Sequence, residues 1–122
     1  MMIGERSAIV TVGEALALDH RAVGVGVDAY HVLWDPRLGD ELAGAGGLVP
    51  GYHVSDWLVP TPDPFGGRGL MGDRIIDLRR IRRLVESTGY DGPIEVEVIK
   101  PALATIPPDE LLADIVARFV RG

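Results

Sequence analysis

Three short stretches with strand-like composition, residues 23–28, 49–55 and 94–99, are separated by stretches whose apolar residues recur at helical spacing. This exchange of period constrains the fold more than any other feature of the chain. Short strands that alternate with helices form parallel βα units, because a parallel neighbour can be reached only by a covered, right-handed crossover. Ser7 to Arg21 carries Ile9, Val12, Ala15 and Leu16 near helical spacing, with Ser7 as the cap. Val23 to Asp28 is the first strand. Asp35-Pro36 then signals a helix start running to about Ala45, stopped by Gly46-Gly47. Val49 to Ser55 is the second strand. The segment "WLVPTPDPFGGRGLMGD", with prolines at 60, 62 and 64, is too punctuated for a regular element and reads as a loop. Asp77 caps a helix with the apolar stripe Leu78, Ile81, Leu84 and Val85, which Gly89 closes. Ile94 to Ile99 is the third strand. Asp109 to Val120 is the last helix, striped by Leu111, Leu112, Ile115, Val116 and Phe119. The predicted order is αβαβαβα, an α/β class chain.

In parallel βα units the carboxyl ends of the strands carry the chemistry. The first strand, "VGVGVD", ends in Asp28, with Tyr30, His31 and Trp34 in the loop beyond. Side chains alternate faces along a strand, so Asp28 shares a face with Gly24 and Gly26, His53 with Gly51 and Ser55, and Glu97 with Glu95. The opposite faces hold Val23, Val25 and Val27, then Tyr52 and Val54, then Ile94, Val96 and Val98. The apolar faces suit covering helices and the polar faces suit a pocket. An aspartate, a histidine and a glutamate, one per strand on one face, form a mixed oxygen and nitrogen set typical of Mn²⁺, Zn²⁺, Co²⁺ or Mg²⁺ sites. Spacing alone favours a capping Asp28, a satisfied core His53, and Glu95 and Glu97 on a solvated edge, because residues this far apart need the fold to bring them together.

Composition removes other classes. A net charge of −6 argues against a general attraction to nucleic acid or anionic membrane. The absence of cysteine excludes disulfides and thiolate metal sites, leaving the cytoplasm as the default compartment. No apolar run approaches the roughly 20 residues of a membrane span. Gly67 to Gly72, "GRGLMG", matches G-x-G-x-x-G but follows a proline-rich loop instead of a strand, so the dinucleotide reading fails on context. Arg79, Arg80, Arg82 and Arg83 read as a solvated helix face. At 47% apolar residues the chain is rich in surface that a partner could cover, and self-association is expected.

The segments "VGVDAYHVLWDP", "HVSDWLVP", "GRGLMGDRIIDLRRIRRLVESTGYDGPIEVEVI" and "PPDELLADIVARF" resemble the last third of sugar phosphate isomerase/epimerase proteins, the xylose isomerase-like TIM barrels that include inosose isomerases and dehydratases. The resemblance runs from about Arg6 onward and implies that residues 1–122 are the C-terminal part of such a domain, about the last three of eight strands with their helices. It implies a divalent metal held by a glutamate, an aspartate, a histidine and a second glutamate from successive late strands. Asp28, His53 and Glu97 would be the second, third and fourth ligands. His31 would contact a substrate hydroxyl, and Arg68 would reach over the pocket from the long loop. Moving a proton next to a ketose or inosose carbonyl needs a Lewis acid and carboxylate bases, so Glu97 would be ligand and base together.

The family's first glutamate would end a strand before the first helix, upstream of Met1, and Glu5 stands too late to replace it. The chain as given is thus expected to lack that ligand and the first five strands, with its polar strand faces uncovered and Glu95 without an enclosed partner. Two readings follow: a sugar or inosose isomerase or epimerase whose site is completed elsewhere, or a non-catalytic remnant or interaction module of the same fold.

Overall fold

The computed structural model describes residues 7–61, 63, 66–73 and 75–121. Glu5, and Pro62 and Pro64 of the long loop, lie outside the described residues. Three strands, β1 (Val27–Asp28), β2 (Tyr52–Val54) and β5 (Ile94–Val96), form one parallel sheet in the order β1-β2-β5. Asp28 lies opposite His53, and His53 opposite Glu95. The regular ladder is shorter than the predicted strands, but single hydrogen bonds extend it at both ends: Val25 N to Leu48 O at 2.8 Å, and Glu97 N to Val54 O at 3.0 Å.

The apolar strand faces pack as the alternation demands. Val25, Val27, Tyr52 and Val54 are buried with Leu38, Leu42, Ile81 and Val85 of the covering helices in one core. Helix α3 is Leu38–Ala43 and α4 is Leu78–Glu86. Asp77 caps α4, accepting a hydrogen bond from Arg80 N at 2.9 Å, and Gly89 ends that turn at φ +92°. The four arginines of α4 lie on its exposed side.

The remaining elements depart from the sequence expectations for local reasons. Helix α1 spans only Val12–Leu16, because Thr11 and Glu14 form a reciprocal capping box that starts it there, leaving Ser7 outside. Asp35 does not cap α3. It accepts a hydrogen bond from Arg37 N in a tight turn, and the helix begins after Arg37 with no side-chain cap. Asp28 instead caps a short helix, α2 (Ala29–Val32), that carries Tyr30 and His31. The proline-rich stretch is not wholly irregular: β3 (Asp56–Trp57) and β4 (Arg68–Gly69) pair as an antiparallel ribbon. A 3₁₀ turn at Pro101–Thr105 precedes α5 (Pro108–Arg121). The stripe expected on α5 divides. Ile115 packs against the core, whereas Leu112, Val116 and Phe119 are exposed, Phe119 in part beneath the Arg82 guanidinium of α4. Among the described residues, no helix is long and apolar enough to cross a membrane.

Candidate functional site

The parallel register brings the three chemistry-bearing strand residues together. Asp28 ends β1, His53 stands beside it in β2, and Glu97 follows β5 directly. One donor atom from each lies within 4.8 Å of the other two. His53 Nδ1 is 3.2 Å from Glu97 Oε2. A carboxylate only accepts, so His53 donates this hydrogen bond from Nδ1–H. Its other nitrogen, Nε2, stands 3.7 Å from Glu95 Oε2. Glu95 shares the His53 face and flanks the imidazole, and at 64% exposure it has no enclosed partner, as the sequence implied.

Arg68 reaches this cluster from β4. Its side chain is buried, with Nη2 2.7 Å from Asp28 Oδ2 and 3.0 Å from His31 Nε2. Nη1 lies 3.0 Å from Ser55 Oγ, 3.3 Å from Glu97 O and 3.4 Å from Asp28 Oδ1. A guanidinium only donates, so His31 accepts at Nε2 and is neutral. Burial holds the His31 pKa below the ordinary histidine range; the Arg68 charge adds to the lowering and Asp28 opposes it. The Arg68 guanidinium also rests on the Tyr30 ring, 4.5 Å from its centroid, and the far face of that ring stacks on Trp57 at 4.4 Å.

The glycines around Arg68 serve this packing. A side chain at position 67 would meet the Tyr30 hydroxyl at 2.7 Å, and one at position 69 would meet Leu58 at 2.6 Å. Small residues are required there for close approach, not for a phosphate cradle, and no helix opens after Gly72. The dinucleotide match is thus explained without a nucleotide.

All five residues predicted for the site, Asp28, His31, His53, Arg68 and Glu97, converge at the carboxyl ends of the parallel strands. His31 sits in a helix and Arg68 in a strand, where loops were expected. Ser55 and Tyr30 were not assigned roles from sequence. Ser55 carried a signal, since it shares the His53 face by parity. Tyr30 carried none, because its use depends on the approach of β4.

The donor set suits a borderline divalent cation: two carboxylates supply charge, an imidazole supplies nitrogen, and the set is partly shielded from water. A family described as "Xylose isomerase-like TIM barrel" matches residues 10–121. No curated protein matches the chain in sequence. Protein SMc04130 of Sinorhizobium meliloti 1021 has a similar structure, with a TM-score of 0.89 and 41% identity over 96% of this chain and 45% of that one. The IOLI protein, whose crystal structure has a binding zinc atom, shares the fold with a TM-score of 0.72 and 19% identity over 92% of this chain and 43% of that one. The chain spans less than half the length of these two solved structures. With its parallel βα units and a match across almost its whole length, the chain belongs to the xylose isomerase-like TIM barrel family.

Proposed function

We propose that the chain, as the C-terminal part of a TIM barrel domain, carries the metal side of a sugar, sugar phosphate or inosose isomerase or epimerase site. The observation that carries this reading is the convergence of Asp28, His53 and Glu97 at the ends of three parallel strands, their donor atoms within 4.8 Å of one another. These residues would hold Mn²⁺, Co²⁺, Zn²⁺ or Mg²⁺. Such an ion supplies a Lewis acid beside the substrate carbonyl and its neighbouring hydroxyl.

The chain's own groups supply the rest. Glu97 takes the proton from the carbon next to the carbonyl, as a carboxylate whose side chain remains 39% exposed to the site's open side. His31 orients Arg68 toward the substrate by accepting from its Nη2 at Nε2, and Arg68 donates to substrate oxygens. In the metal-free chain His53 holds Glu97 in place through their shared hydrogen bond. The substrate is a small polyhydroxylated molecule, and the working compartment is the cytoplasm. Self-association, with a second copy over the open polar side of the sheet, belongs to the same proposal. Sedimentation that gives a monomer at every concentration removes that part.

The openness of the polar side favours one further reading. His53 and Glu97 side chains are each 39% exposed and Glu95 64%, as befits an interaction module that keeps the ligands without the reaction. Calorimetric titration with Mn²⁺, together with exchange of solvent deuterium into a panel of ketoses and inososes, separates the two. Metal binding by the chain, lost in His53→Ala, with exchange once the upstream strands of the domain are supplied, is the result expected of the enzyme. Binding that stays without exchange when those strands are supplied selects the module, and no binding at saturating Mn²⁺ removes the metal reading.

A further inference from the structure

The arrangement of donors around Asp28 leaves a divalent cation facing an internal rival. A carboxylate offers about four lone-pair sites. Tyr30 N takes one on Oδ1 at 2.9 Å, and Arg68 takes two more, on Oδ2 at 2.7 Å and on Oδ1 at 3.4 Å. Arg68 Nη1 also stands 3.7 Å from Glu97 Oε2. One guanidinium thus neutralises two of the three members of the donor set, and at 5% exposure its charge is poorly screened by solvent. We propose that Arg68 is a built-in competitor for the cation: it holds the carboxylates together in the metal-free chain, and loading requires it to release Asp28. This rests on the metal reading above and adds a regulatory role to Arg68.

The remaining partners of Arg68 show what keeps it in place. Ser55 Oγ at 3.0 Å, Glu97 O at 3.3 Å, His31 Nε2 at 3.0 Å and the Tyr30 ring lie outside the donor set. These four contacts can hold the guanidinium where it is when the Asp28 carboxylate turns toward a cation, so release is a short movement and not expulsion of a buried charge. Arg68 then faces the pocket with its Nη2 donor free for an incoming oxygen. The competition sets a threshold: the site fills only when the cation binds more tightly than the arginine it displaces.

Two measurements on the full chain test this. In calorimetric titration with Co²⁺, Arg68→Gln should bind about tenfold or more tightly than the wild type, the usual worth of a buried charged hydrogen bond expressed as affinity, and His53→Ala should abolish binding in both backgrounds. A folded Arg68→Gln that binds Co²⁺ equally or more weakly overturns the proposal. The second measurement needs no variant: guanidinium nitrogen resonances of Arg68, held by Asp28 in the metal-free chain, should shift and begin to exchange as diamagnetic Zn²⁺ is added. Resonances unchanged at saturating Zn²⁺ overturn the proposal even if Arg68→Gln fails to fold. Failure of both wild type and Arg68→Gln to bind either ion refutes the metal reading and this inference with it, an outcome distinct from binding without competition.

Discussion

His53 Nδ1 lies 3.2 Å from Glu97 Oε2 although 44 residues separate them. The contact exists because β2 and β5 are parallel neighbours, with His53 opposite Glu95 and Glu97 one step beyond the ladder. Its consequence is a metal-binding prediction. His53 is only half-buried and lies outside the apolar core, so His53→Ala should leave the circular dichroism spectrum unchanged. Divalent binding should fall about a hundredfold or more, close to 3 kcal/mol, because the set loses its nitrogen donor. Calorimetry with Mn²⁺ gives the answer, and near-wild-type affinity in a folded His53→Ala would remove His53 from the ligand set.

Glu95 supports the same imidazole from its other side. If Nδ1 turns to a cation, the ring proton resides on Nε2, where Glu95 Oε2 stands 3.7 Å away and can accept it. Glu95→Gln should therefore weaken divalent affinity about tenfold, as loss of an outer partner does. Its thermal stability should not change, because the side chain is exposed. Equal affinities in Glu95→Gln and wild type would show that Glu95 is only a solvated edge residue.

How much of this was legible in the chain follows from the range of each cause. Face parity is strictly local, so the shared side of Asp28, His53, Ser55, Glu95 and Glu97 could be read from spacing. The parallel order followed from the alternation of strand and helix. The position of Arg68 could not be read that way, because it depends on an antiparallel ribbon, β3 with β4, closed across a stretch full of prolines. The early end of α1 was written in Thr11 and Glu14, a capping pair overshadowed by the longer apolar period around it. The split stripe on α5 was hidden for another reason: periodicity says which residues share a helix face, not how much of that face a neighbour covers.

Asp56 carries a stability prediction for the ribbon. Its carboxylate is buried, and Oδ1 accepts from the backbone amides of Trp57 at 2.7 Å and of Ile75 and Ile76, both at 2.9 Å. It thus ties β3 to the segment leading into α4. Asp56→Ala should cost about 3 kcal/mol, since hydrogen bonds to a charged acceptor are lost and amide groups are left without a partner. Asp56→Asn keeps an acceptor oxygen and should cost about 1 kcal/mol. Urea denaturation orders the three proteins, and equal losses for Asn and Ala would show that packing, not acceptance, is what Asp56 supplies.

Tyr52 gives the clearest pH signature of the helix side of the sheet. Its ring is 1% exposed, and its hydroxyl has no hydrogen-bond partner among the described residues. Burial pushes the phenol well above the ordinary tyrosine range; nearby Arg82 opposes this and Glu86 reinforces it. A folded pKa raised above the unfolded value means that the native chain holds its proton after the unfolded chain has released it. The contribution is therefore constant below about pH 10, the unfolded tyrosine value, and stability falls as the pH rises beyond it. Tyr52→Phe removes a buried, unpartnered hydroxyl and should raise stability at neutral pH by about 1 kcal/mol. The same variant should flatten the decline above pH 10. Thermal melts of both proteins across the alkaline range measure the two effects together, and a Tyr52→Phe protein that is less stable at neutral pH would show that the hydroxyl has a partner after all.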